Sequence, residues 1–261
     1  MIPNFTIIDR EISAYLICVI VGIFVSGIVT LKSVDKEKEN DLLDILLWSA
    51  PGAFLGGHLL YGLTNLQYLI RLFSNKFNIV TLINLFAGSV FYGGMLGGLL
   101  SAWIYCKVTS QDYKKYSDNG ALFIPLFHVF GRIGCFLSGC CYGIESSVGI
   151  IYQHSAIAMA NGVRRFPIQL VEALGNLILF LVLFHLYRKG KFQGKLLTIY
   201  LLSYATMRFI DEFFRGDEYR GFVLGLSTSQ IISLLIVIVV LMVMIIDKKK
   251  NYKNGGNLDE K

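Results

Sequence analysis

Seven mostly apolar stretches, at 12–31, 42–63, 79–105, 121–138, 167–186, 196–214 and 224–246, constrain this chain more than any other feature. A helix needs about 20 apolar residues to cross a hydrocarbon core. In lipid every backbone N–H and C=O must be satisfied within the chain, so such stretches become helices. Apolar residues make up 54% of the 261 and charged ones 16%, whereas a soluble domain is about a quarter charged. The sequence therefore predicts an all-α, polytopic membrane protein with seven transmembrane helices. No long polar insertion separates the stretches, so one integral membrane domain over 1–261 is expected, ending in a basic tail at 247–261. The first stretch lacks the basic flank and the small-residue cleavage site of a signal peptide, and is expected to stay in the protein.

The basic residues sort between alternate loops. Fifteen fall on one side, at Lys32, Lys36, Lys38, Lys107, Lys114, Lys115, Arg188, Lys189, Lys191, Lys195 and five tail lysines, and seven on the other, at Arg10, Arg71, Lys76, Arg164, Arg165, Arg215 and Arg220. By the positive-inside rule the amino terminus is outside and the carboxyl terminus inside. The net charge of +6 then reads as a topology signal and an anionic-lipid patch, not as a nucleic-acid site.

Two arginines escape that sorting. Arg132 lies in Gly131-Arg132-Ile133-Gly134-Cys135-Phe136-Leu137-Ser138-Gly139-Cys140-Cys141-Tyr142-Gly143. A guanidinium at bilayer depth costs from about 3 to more than 10 kcal/mol, so such residues line polar cavities or pair. Four glycines in thirteen residues predict a broken helix with Arg132 as an anion ligand; the alternative is an arginine that snorkels or pairs with a helical carboxylate. Arg208, Glu212 and Arg215 follow at i, i+4 and i+7, one helical stripe. At 1.5 Å per residue Arg208 lies about 20 Å and Arg132 about 18 Å from their inner ends, similar depths that suggest one shared phosphate. An Arg208–Glu212 pair that only ties helices together is the alternative. Gln169 and Glu172 share a face of the fifth span, near its outer end. His58 also maps to the outer half. His128, one turn before Arg132, reads as a helix–helix hydrogen bond. The seventh span reads as featureless.

Glycines at 52 and 56, and at 93/97 and 94/98, form small-xxx-small faces for close helix packing. Tyr92 adjoins them, so its hydroxyl either faces an interior site or packs. Cys18 and Cys106 read as packing residues. Cys135, Cys140 and Cys141 form C-x4-C-C, which matches neither the usual zinc spacings nor a four-thiolate cluster. No metal or other cofactor is expected, and disulfide connectivity cannot be read from an odd set of cysteines.

The run Gly131-Arg132-x-Gly134-x-Phe136, then Pro167-x-Gln169-Leu170-x-Glu172, then Arg208-Phe209-x-x-Glu212-Phe213-Phe214-Arg215 and Leu224-Gly225-Leu226-x-x-x-Gln230 resemble, in that order, the bacterial prolipoprotein diacylglyceryl transferases. Phe91-Tyr92-Gly93-Gly94 and Gly56-Gly57-His58-Leu59-Leu60-Tyr61 fall where that family has its HGG and GARLYY-type segments. The resemblance implies a seven-helix protein of the bacterial cell membrane. It also implies transfer of a diacylglyceryl group from phosphatidylglycerol to the lipobox cysteine of a prolipoprotein, with release of glycerol phosphate. On it, Arg132, Arg208, Glu212 and Tyr92 would be catalytic, and Arg215, His58, Gly93, Gly94, Gln169, Glu172, Cys135 and Cys140 would join Arg132 and Arg208 in binding substrate.

The chain departs from the family pattern at several places. Tyr92 stands for histidine, His58 for arginine, Cys135 and Ser138 for asparagine, Cys140 for glutamate, and Phe166 and Val171 for histidine and tyrosine. A phenol of pKa about 10 is a poor general base for a thiol of about 8.5, so Glu172 or the arginines are expected to help the acceptor ionise. A non-catalytic or transport-type protein binding an anionic lipid in the same cavity is the alternative function, and a variant transferase with another acceptor lies between the two.

Overall fold

The computed structural model describes residues 1–7, 10–65, 79–80, 83, 86–155, 157–217, 221–223 and 225–255. Among them are seven α-helices of 16 residues or more. They are α1 (Ala14–Leu31), α2 (Lys36–Thr64), α3 (Phe91–Val108), α4 (Tyr113–Ser138), α5 (Ile168–Arg188), α6 (Leu196–Asp211) and α7 (Thr228–Gly255). Five, α1, α2, α4, α5 and α7, are long and apolar enough to cross a membrane. Their outward faces carry large apolar side chains such as Phe24, Phe54, Leu181 and Met242, more than a water-facing surface tolerates. Arg71, Lys76, Arg220, Leu224, Lys261 and residues 81–82 and 84–85 of the third predicted span lie outside the described residues.

Three short hairpins decorate the helical body, β1 (Asn4–Ile7) with β2 (Arg10–Ser13), β3 (Glu145–Ile151) with β4 (Arg164–Arg165), and β5 (Phe222–Val223) with β6 (Leu226–Ser227).

The small-residue faces pack as their spacing predicts. Gly52 and Gly56 of α2 lie against Gly97 and Gly93 of α3, so the two helices run antiparallel, and a Cβ at Gly56 or Gly93 would meet the other's carbonyl oxygen. Contact this close lets backbones associate where lipid supplies no hydrophobic drive between helices. Gly22 and Gly134 bring α1 against Phe130 and α4 against Tyr15 in the same way. The shared core gathers Tyr92, Leu122, Leu126, Leu183, Tyr200, Tyr204 and Ile236 from α3, α4, α5, α6 and α7.

Several boundaries differ from the predicted ones. The third predicted span is interrupted: residues 79–80 and 83 are helical, a turn and bends follow at 86–88, and α3 begins at Phe91. The sixth ends at Asp211 and tightens into a 3-10 turn at Glu212–Phe214. The break expected within the glycine-rich run 131–143 comes later than Arg132: α4 continues through Gly131, Arg132 and Gly134 to Ser138, because neither glycine has to leave helical geometry, and Gly134 serves packing against α1. Helix α4 stops at Gly139, whose left-handed φ of 74° closes the helix.

Beyond Gly139 the chain is stitched to the segment after α6. Ile144 N–H donates to the Phe214 carbonyl and Gly216 N–H to the Tyr142 carbonyl, and Gly143 bridges to Arg215. At the other end of the helices, a cavity of about 700 Å³ gathers Lys38, Lys114, Lys115 and Lys191, four of the lysines that the loop sorting places on one side.

Candidate active site

Four helices deliver polar groups to one buried level, three of them charged. Arg132 comes from α4, Glu172 from α5, Arg208 from α6, and Ser229 and Ser233 from α7. The Glu172 carboxylate joins both arginines: its Oε2 pairs with Arg132 Nε, and its Oε1 lies 3.2 Å from Arg208 Nη1. Arg208 Nη2 reaches Glu212 Oε2 at 2.6 Å and donates to Ser229 Oγ at 3.2 Å. All four charged groups are buried, with Glu172 only 2% exposed. Charges withdrawn from water this far persist because they are mutually paired. Arg132 thus pairs with a helical carboxylate, the alternative left open by the sequence. The pairing also brings it to Arg208, as their similar depths suggest.

Arg132 Nε also donates to His128 Nε2 at 3.1 Å. That bond lies within α4, while the His128 ring also reaches neighbouring helices, stacking on Phe91 of α3 at 3.7 Å and interacting with Asn176 of α5. Arg215 leaves the expected stripe, because the 3-10 turn changes the rotation per residue and Arg215 itself is extended. It makes a bidentate pair with Asp217, at 2.9 and 2.6 Å.

The Tyr92 hydroxyl meets Ser233 Oγ at 2.6 Å, while Ser233 also donates to the Ser229 carbonyl at 2.8 Å. The seventh helix, expected to be featureless, therefore supplies the polar link between Tyr92 and Arg208. The only trace in the sequence is two serines one turn apart on an apolar helix. Gly93 and Gly94 face α2, and the ring of His58 packs on Phe54, with centroids 4.4 Å apart. Their described contacts belong to helix packing, not to the arginine cluster.

Gln169 and Glu172 divide their work. Gln169, fully buried, donates through Nε2 to the Cys140 carbonyl at 2.7 Å and accepts from the Tyr152 hydroxyl at 2.8 Å. It pins the turn after α4. There Cys141 holds a φ of 54°, left-handed backbone that a non-glycine residue adopts only when its surroundings enforce it. The two positive-φ residues, Gly139 and Cys141, fold the chain back so that the sulfurs of Cys135, Cys140 and Cys141 all lie within 4.8 Å of one another. Hydrogen bonds from the Cys135 and Cys140 thiols hold the Cys141 thiol well below the usual thiol range; Arg215 and Arg132 add to this and burial opposes it.

An apolar helical body with a buried Arg–Glu–Arg bridge, walled by four helices, defines a polytopic membrane protein with an internal cluster of paired charges. The comparisons narrow that class. Residues 4–246 match the family model for prolipoprotein diacylglyceryl transferase, and the chain belongs to that family. Similar curated proteins carry the name phosphatidylglycerol–prolipoprotein diacylglyceryl transferase. One from Clostridium tetani is 33% identical over 234 residues, 88% of this chain and 91% of the relative. One from Helicobacter hepaticus is 34% identical over 236 residues, 86% of this chain and 78% of the relative. One from Clostridioides difficile is 28% identical over 255 residues, 96% of each.

Proposed function

We propose that this chain transfers a diacylglyceryl group from phosphatidylglycerol to the cysteine thiol of a prolipoprotein lipobox and releases glycerol phosphate. The observation that carries the reading is the Glu172 bridge. Two guanidiniums on separate helices lie close enough for one carboxylate to touch both, so the oxygens of one phosphate can also reach both. In the reaction the sulfur attacks the glyceryl carbon, the carbon–oxygen bond breaks, and the electron pair passes to the phosphate ester oxygen. Charge grows on those oxygens as the bond opens. Paired, charge-assisted hydrogen bonds from Arg132 and Arg208 stabilise them most in the transition state. Glu212 and Ser229 hold Arg208 in place, and Arg215, paired with Asp217, anchors the strand beside the cysteine turn.

In the same reading the seven helices all span a bacterial cell membrane. The amino terminus is outside, the carboxyl terminus inside, and the arginine site lies in the outer half, where lipid donor and secreted acceptor meet.

The test uses purified protein, phosphatidylglycerol in detergent and a lipobox peptide, with peptide mass and free glycerol phosphate followed together. A diacylglyceryl mass gain matched by glycerol phosphate, and lost in Arg132→Ala, is the expected result. Lipid binding that depends on Arg132 with neither product formed would favour the binding or transport reading instead.

A further inference from the structure

Attack on carbon needs the acceptor sulfur as a thiolate, and at rest the groups at the arginine site are paired with one another. The Tyr92 hydroxyl is engaged with Ser233 and both Glu172 oxygens with arginines. Three thiols gather where α4 ends, Cys135 on its last turn and Cys140 and Cys141 in the turn beyond it. We infer that Cys135, Cys140 and Cys141 bind a thiophilic divalent cation of the Zn2+ type, leaving its fourth position open for the acceptor thiol.

The sulfur spacing fits such a cation. Around a cation with metal–sulfur bonds of about 2.3 Å, neighbouring thiolates sit about 4 Å apart. The three sulfurs, all within 4.8 Å of one another, need only a small inward adjustment. Their softness selects zinc-like cations over magnesium or calcium. Three protein ligands with one vacant position is also the pattern of catalytic rather than structural zinc.

The frame around the thiols is rigid. Gln169 fixes the Cys140 carbonyl, and Ser155 Oγ donates to the Gly139 carbonyl at 3.0 Å. Cys135 is buried while Cys140 and Cys141 are half-buried, so access comes from the side of the turn. Cys135 follows Arg132 by one helical turn on the same face of α4. An acceptor sulfur held at the vacant position would therefore stand beside the guanidinium that grips the donor phosphate. Three thiolates and a divalent cation carry a single net negative charge.

The step balances. The acceptor thiol binds the cation and gives its proton to solvent, since a coordinated thiol is deprotonated outright. Its sulfur then uses a lone pair to form the carbon–sulfur bond while the carbon–oxygen bond breaks toward phosphate. The product thioether is a poorer ligand than the thiolate and departs. The acceptor part of this inference rests on the transferase reading, whereas the metal site rests on the thiols alone.

The experiment separates the two. Reduced full-length protein in detergent is titrated with Co2+ as a spectroscopic stand-in for Zn2+, and near-ultraviolet thiolate-to-cobalt charge transfer and tetrahedral visible bands are recorded. Saturation at one cobalt per chain is expected, with the bands lost or strongly reduced in Cys140→Ser, which alters a half-buried position, and in Cys135→Ser. Lipobox peptide should raise the charge-transfer intensity by about one third as bound thiolates go from three to four, and a peptide with serine for cysteine should not. Absence of cobalt bands in the folded, reduced protein overturns the metal site, whatever the transfer assay gives. Bands that ignore the peptide thiol overturn its acceptor role, as does full transfer by protein shown to be metal-free. If bands respond to the peptide but no lipid is transferred in any condition, the metal inference stands and the transferase reading falls.

Discussion

Tyr92 stands where the family has histidine, and its surroundings argue for positioning rather than proton transfer. The hydroxyl is buried and bonded to Ser233, and the ring lies edge-on to Tyr204 at 5.6 Å. Tyr92→Phe removes one hydrogen bond, so stability should fall by about 1 kcal/mol and the transfer rate should stay within several-fold of wild type. A general base would cost about a hundredfold or more on removal, so a loss of that size in the glycerol phosphate assay would return Tyr92 to the chemistry. At this scale the sequence was legible where the rule is local. Arg208 and Glu212 pair at i, i+4 as spacing dictates. Ser229 and Ser233 were not legible, because a serine on an apolar helix can satisfy itself on its own backbone and carries no mark of a partner. The convergence of the cysteines was hidden for a related reason: it depends on a left-handed residue at Cys141, a conformation that sequence favours only at glycine.

Helix α4 shows how a correct observation led to a misplaced boundary. Of the glycines beside Arg132, Gly131 has open space around it whereas Gly134 is a packing contact. Gly134 meets Tyr15 and Cys18 of α1 while the helix continues. Glycine in a membrane helix thus divides into places where a backbone passes close by and places where nothing does, and substitution distinguishes them. Gly93→Ala drives a Cβ into the Gly56 carbonyl, so α2 and α3 must separate, and a large drop in detergent unfolding temperature is expected. Gly27→Ala in α1 enters space where no atom lies within 4 Å. Stability there should match or slightly exceed wild type, by up to about 1 kcal/mol. Equal losses at both positions would show that the α2–α3 contact is not what holds the bundle.

For the molecule as a whole, the apolar lengths foretold a mostly helical body with five helices long and apolar enough to cross a membrane, and the structure gathers Lys38, Lys114, Lys115 and Lys191 at one end. The proposed orientation puts Glu145 outside and Lys191 inside. In intact cells, with native thiols blocked beforehand in controls lacking the new residue, a membrane-impermeant maleimide should label Glu145→Cys and reach Lys191→Cys only after permeabilisation. The reverse pattern would invert the topology. The bridge formed by Glu172 has a consequence for turnover. A site whose two cations already hold a tethered carboxylate fills by exchange: the lipid phosphate must evict Glu172, and Glu172 evicts glycerol phosphate when it swings back. Glu172→Gln lacks the returning charge, so inhibition by added glycerol phosphate should deepen in that variant while binding of the donor tightens. The residue that joins the two arginines at rest would then also be the one that clears them.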